Sequence, residues 1–335
     1  MKEFYTKPII KKEEESFDFE IFENKIIDNP DNLRELSKKL QGVYNHRPDP
    51  EDFMGVEKKT MKKEHLLECY TKEEIDSDLK YVENKKAWIE EQNSSKGLRE
   101  KENIDKMFAY SEMMQAMVID LINKGWFKNC KAIMTSEYDD YCNGVDSVIK
   151  NKTGDFFSAS FDLVVFSQDC KRLYEKLNKE WNNTRSGKLV NVKYFEDPDD
   201  HKKQSIMAPK FVVGATIKDL ELLAKGYLDN DQKSLQQNPL KFFIIDQIEK
   251  QIEEVLDFYE KNIDSKNRNF ILEKYNSLYN IIKEIKKEAK NEIANDQEAR
   301  LAVHEYSKTN IYGAVMKTIE SCASSQSKKM EAVEA

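Results

Sequence analysis

The chain has 335 residues, with 54 Lys and Arg against 62 Asp and Glu and a net charge of −8. With 39% hydrophobic and 35% charged residues, ten Gly and seven Pro, the composition suits a soluble protein of long solvated helices and argues against an all-β fold. The length allows two or three domains, and the acidic balance excludes a protein coated in nucleic acid, though not a local basic channel.

In chain order, residues 1–20 read as a flexible tail and 21–129 as a helical region. A short helix is predicted over 31–42, and a Pro-punctuated loop, YNHRPDPEDFMG, follows. Thr71 and Glu74 form a T-x-x-E capping box, so a helix starts at about 72 and runs toward Gln92. Ile104, Phe108, Met113, Met114, Met117, Val118, Leu121 and Ile122 are spaced for one helix face, which Gly125 ends.

Over 130–228 the character changes to a compact α/β unit. Residues 145–149, 156–166, 189–195 and 210–215 are short and β-branched or aromatic, so they read as strands. Lys152–Thr153–Gly154 is a turn that pairs the first two antiparallel. A helix over 168–183 separates the second strand from the third, and Thr216 with Asp219 caps another through Tyr227. From 239 to 320 apolar stripes at Phe243–Tyr259, Ile271–Ile285 and about Ala294–Ile319 predict a helical region packed on the α/β unit, and 321–335 reads as a disordered tail.

The chemistry-bearing residues lie in the α/β unit. Asp146 stands near the start of one strand and Asp162 in the middle of the next. Strand alternation puts Phe161, Leu163 and Val165 on the core face and Asp162 on the other, and a charged Asp in mid-strand costs stability unless something pairs with it. Carboxylate oxygens suit Mg²⁺ or Mn²⁺. Lys193, inside the third strand, would add charge for a developing phosphorane or lower the pKa of an attacking water. Each residue also has a plain reading: a hairpin-flanking Asp146, a hydrogen-bonded Asp162, an exposed Lys193.

An upstream acid, a G-x-D strand (Gly144–Val145–Asp146), an acid on the next strand (Asp162–Leu163–Val164) and then a helix and further strands resemble the PD-(D/E)XK nuclease superfamily, over residues 130–225 at most. The resemblance implies an α/β (α+β) core of restriction-endonuclease-like type with a small mixed sheet, flanked by N-terminal helices and a C-terminal helical bundle. It implies metal-dependent phosphodiester hydrolysis, with Asp146 and Asp162 binding Mg²⁺ (or Mn²⁺), Asp140 or Glu137 as the upstream acid, and a lysine assisting the water. The family's second motif wants Lys where this chain has Val164. Lys193 is the first substitute, with Lys188 and Lys171 behind it.

Partners follow from charge. Residues 171–210 hold ten Lys and Arg and six acids, which suits a DNA or RNA contact or simply a solvated face. A second function class is a non-catalytic interaction or scaffold protein, with an inactivated nuclease-like core and helical surfaces that bind other proteins. No P-loop or dinucleotide fingerprint is present, and His65 with Cys69 falls short of a zinc site. The five cysteines form no CxxC pair, no apolar run approaches ~18 residues, and the N-terminus lacks a signal-peptide core, so the expectation is a cytoplasmic protein with no membrane span.

Overall fold

Asn29 accepts a hydrogen bond from the Asp31 amide and Pro30 occupies the first turn, so helix α1 (Pro30–Tyr44) starts where donors would otherwise lack partners. The computed structural model describes residues 26–54, 70–94, 98–151, 158–166, 170–197 and 199–324. Thr71 and Glu74 exchange hydrogen bonds of 2.8 and 3.2 Å, the expected capping box, at the start of α2 (Lys72–Ser94). Helix α3 (Leu98–Leu121) buries Met114, Met117, Val118 and Leu121. It closes through a π-turn in which Gly125 takes φ +115°, a conformation costly for any residue with a Cβ.

Three strands follow: β1 (Cys130–Met134), β2 (Ser147–Asn151) and β3 (Ser158–Phe166). After them come α4 (Lys171–Arg185), β4 (Val190–Glu196), β5 (Lys203–Ala208) and β6 (Lys210–Thr216). One sheet has the order β1-β2-β3-β6. Its first two pairings are antiparallel, and β3 runs parallel to β6. Among the described residues, strands β4 and β5 pair only with each other, as a hairpin inserted in the crossover from β3 to β6. The sequence reading anticipated neither β1 nor β5. CKAIM is five residues rich in helix formers, and KQSIMA is half polar with one β-branched residue, so neither carries a strong strand signal. The expected Lys152–Thr153–Gly154 turn and the 1–20 tail lie outside the described residues.

Both faces of the sheet are covered. On one side Val118 and Ile119 of α3 and Ile122 of the π-turn meet Phe161 and Leu163 of β3. On the other lies α4, with a buried stripe of Leu173, Leu177, Glu180, Trp181 and Thr184. The close approach of this helix uses Gly214, where a Cβ would come within 2.8 Å of Phe166 and 2.9 Å of Leu173. The outer edge of β6 is closed by side chains. Gln247 accepts from the Gly214 amide at 2.7 Å and donates to its carbonyl at 3.0 Å, and Gln251 repeats the pattern on Val212 at 3.2 and 3.0 Å. Strand polarity that would otherwise invite another chain is thereby satisfied.

Both glutamines belong to α7 (Pro239–Lys261). Before it come α5 (Ile217–Leu228), capped by Thr216 and Asp219 as expected, and α6 (Gln232–Gln236). Helices α8 (Arg268–Glu292), α9 (Gln297–Ser307) and α10 (Asn310–Ser324) complete the chain order. The third C-terminal stripe is thus two helices, and helix continues to Ser324, past the expected boundary at 320. One apolar core runs from Leu36 in α1 to Cys322 in α10, joining the helices at both ends to the sheet. The protein is a mixed α+β fold with a small mixed sheet and helices at both ends. Among the described residues no helix is long and apolar enough to cross a membrane.

Candidate active site

The turn between β1 and β2 carries two adjacent acids that point to different neighbours. Asp139 is fully buried and accepts from the Lys193 amide at 2.7 Å, the Tyr194 amide at 2.9 Å, Ser136 Oγ at 2.8 Å and Asn143 Nδ2 at 3.0 Å. It clasps the β4 backbone and has a structural role. Burial raises its pKa, and these hydrogen bonds oppose the rise. Asp140 instead meets Arg47, at 3.1 Å. Gly144 ends the turn at φ +62°, and a Cβ there would stand 3.1 Å from Lys210 Nζ. Glycine therefore permits both the left-handed backbone and the approach of that lysine.

Asp146 is tied to the neighbouring strand. Its amide donates to the Phe161 carbonyl at 2.8 Å and its Oδ2 accepts from the Leu163 amide at 2.7 Å. Asp162, on the face of β3 toward α4, lies between two ammonium groups. Lys176 of α4 bonds Oδ1, and Lys210, the first residue of β6, stands 3.4 Å from Oδ2. Lys210 also donates to the Asn143 carbonyl at 3.2 Å.

The three carboxyls share one electrostatic field. Burial pushes the Asp146 pKa well up, and the charges of Asp162 and Asp140 push it further. Burial also raises Asp140, with Asp162 adding to the effect and Arg47 and Lys176 opposing it. Glu180 of α4 is raised by burial and held back by Lys210. The cluster meets solvent at Asp140 and Lys176, whose side chains keep 36% and 31% of their surface, against 3% for Asp162 and 7% for Lys210.

Asp140, Asp146 and Asp162, which the sequence suggests as one group, lie within one another's electrostatic reach. Glu137 is not with them, for it points outward and pairs with Lys86 at 2.7 Å. Lys193 does not reach the pair either. Its strand β4 stands outside the four-stranded sheet, and its ammonium bonds Asp78 at 2.5 Å among the rings of Tyr70, Tyr138 and Tyr194, 4.7, 5.4 and 5.5 Å away. Lys188 is exposed beyond the end of α4. The groups the sequence reading missed are Lys176, Lys210 and Arg47. Lys176 follows Leu173 by three and precedes Glu180 by four, which puts it on the buried face of α4. Lys210 lies two residues before Val212, the register partner of Asp162, and so on the same face. Arg47 left no signal, since 93 residues separate it from Asp140.

Comparison of the chain with protein-family models, with curated proteins and with solved structures returns no match. Among the described residues no group of three or more His, Cys, Asp or Glu is gathered closely enough to hold a metal ion, and lysines engage both oxygens of Asp162. Three carboxyls offer the oxygen donors that a hard cation takes, but as they stand they are not gathered around one ion position.

Proposed function

We propose that this site performs metal-dependent phosphodiester hydrolysis of nucleic acid, as a PD-(D/E)XK-like centre in which Lys176 takes the role expected of Lys193. The observation that carries the proposal is the convergence of Asp140, Asp146 and Asp162, each of which raises or feels the charge of the others, with Lys176 on Asp162. The order of elements supports a restriction-endonuclease-like core. An acid-bearing turn leads through Gly144 and Asp146 into β2, Asp162 lies on β3, a helix crosses over, and β6 joins the sheet beside β3.

Asp146, Asp162 and Asp140 would hold Mg²⁺ or Mn²⁺, whose charge, when bound, stabilises the negative charge developing on the phosphoryl oxygens. Lys176, where the cluster meets solvent, orients the attacking water and offsets charge in the transition state. Burial and the neighbouring acids raise the Asp146 pKa in the metal-free site, and a bound cation would favour its ionised form. Lys210 stays behind Asp162 and fixes its orientation. The basic segment 171–210, which supplies Lys176 and Lys210, supports DNA or RNA as the substrate class.

The test is cleavage of single- and double-stranded DNA and RNA with and without Mg²⁺ or Mn²⁺, in the wild type, Asp162→Ala and Lys176→Met. Equal activity in wild type and Asp162→Ala excludes this site. One observation favours the second reading, a non-catalytic interaction protein: Asp162 is 2% exposed and both its oxygens face lysines. Under that reading the wild type cleaves nothing, and neither cation shifts its melting temperature.

A further inference from the structure

Arg47 comes from the loop between α1 and the short 3-10 turn Pro50–Phe53, outside the segment that carries the acids. Its backbone is fixed. The Arg47 amide donates to the Tyr44 carbonyl at 3.1 Å, Pro48 and Pro50 are buried, and Asp49 caps the 3-10 turn. The side chain is presented from a firm base, with a quarter of its surface open (25%) at the exposed end of the carboxylate cluster.

Its donors are only partly used. One terminal nitrogen bonds Asp140 at 3.1 Å, while Nε is buried with no hydrogen-bond partner among the described residues. A guanidinium that served only as counter-ion to Asp140 would gain most by turning both prongs of its planar fork onto that carboxylate. Here the Nε edge is held back, dry and unpaired, beside an acid that also lies in the field of Lys176 and Asp162. Two cations, Arg47 and Lys176, therefore act on the same acid where the cluster meets solvent. An oxyanion at the exposed part of this guanidinium, drawn also by the Lys176 charge, would gain a charge-assisted hydrogen bond without disturbing the Asp140 contact, and a turn of the side chain would bring the orphan N–H to it.

We propose that Arg47 is a substrate-binding residue that grips a non-bridging phosphate oxygen of a nucleic-acid backbone at the mouth of the site. The position of that phosphate rests on the hydrolase reading above. The N-terminal helical region then supplies part of the substrate site.

The test is fluorescence anisotropy of a labelled 20-nucleotide DNA, single- and double-stranded, in EDTA over a salt series, with wild type, Arg47→Met, Arg47→Lys and Asp140→Asn. Arg47→Met is expected to weaken binding about 10-fold at 0.1 M salt and to lower the slope of log K against log salt by about one phosphate contact. Arg47→Lys keeps the slope and loses several-fold in affinity, because the charge remains but the fork does not. Asp140→Asn, which keeps Arg47, binds at least as tightly as wild type. Wild-type affinity and slope in Arg47→Met, wild-type affinity in Arg47→Lys, or a wild type that does not bind the probe overturns the proposal. If Arg47→Met is unfolded by circular dichroism, Arg47→Lys carries the comparison. Weakened binding in Arg47→Met, together with full cleavage by Asp162→Ala, sinks the hydrolase reading and leaves Arg47 as a nucleic-acid contact. Wild-type binding by Arg47→Met, together with cleavage lost in Asp162→Ala, does the reverse.

Discussion

Two lysine substitutions separate chemistry from architecture. In Lys193→Met, Asp78 loses its ammonium partner at 2.5 Å and keeps the Tyr194 hydroxyl at 2.6 Å. Breaking a fully buried pair costs about 3–5 kcal/mol. The two side chains retain 18% and 12% of their surface, so solvent relieves part of this. Lost contacts with three tyrosine rings restore some of the cost, at about 0.5–1 kcal/mol for such contacts. The balance is a loss of about 2–4 kcal/mol, which for a chain of this length is a fall of roughly 3–6 °C in melting temperature. Lys176→Met costs less, about 1–2 kcal/mol for one partly exposed charge-assisted hydrogen bond, because Lys210 remains 3.4 Å from Asp162. Its cleavage rate should fall about 10²–10³-fold, the loss typical of one transition-state donor. Differential scanning fluorimetry and a fixed-temperature cleavage assay on both variants make the comparison. A folded Lys193→Met protein that no longer cleaves, beside an active Lys176→Met, would refute the assignment of both lysines.

Asp146→Asn should change the pH dependence of stability. Because the folded pKa is raised, the folded state holds more protons than the unfolded chain above the ordinary carboxylate range, so ionisation of Asp146 removes stability as pH rises toward the folded value. Each unit of elevation is worth about 1.4 kcal/mol. The variant should gain on wild type in melting temperature from pH 4 to pH 7, and a constant difference would contradict the burial argument. Gly144→Ala should lose about 1–2 kcal/mol for its left-handed backbone. It should also lose cleavage, since its Cβ crowds Lys210 Nζ at 3.1 Å. Full activity there would show that the lysine position is not critical. Gln247→Leu leaves the Gly214 N–H and C=O unpaired, at about 1–3 kcal/mol each. Urea denaturation should therefore show a loss of about 2–6 kcal/mol, and a smaller loss would mean that water replaces the amide.

Local signals were legible and long-range ones were not. The Thr71 and Thr216 caps, the α7 and α8 stripes and the strand around Asp162 are written in neighbouring residues, and the structure has them within a few positions. The grouping of Asp140 with Asp146 and Asp162 followed from their nearness in sequence. The lysine was misassigned because strand character does not say which sheet a strand joins, and among the described residues β4 pairs only with β5. Lys176 sat on a helix face that the sequence reading took as solvated. Its position between buried residues of α4 was available, but its significance depended on knowing that α4 lies over Asp162.

The glutamine seam along β6 bears on the order in which the protein assembles. The contacts that close the sheet join residues 33 and 39 positions apart, and they exist only after α7, made later in the chain, has docked. Until then β6 offers an apolar strand with a bare edge, and parallel pairings of this kind form slowly. During synthesis or refolding that interval is when the chain is most open to strand exchange with another copy. Truncation before Pro239 would make the interval permanent: a fragment with every acid and lysine of the site, but without the side chains that keep its sheet from recruiting a neighbour.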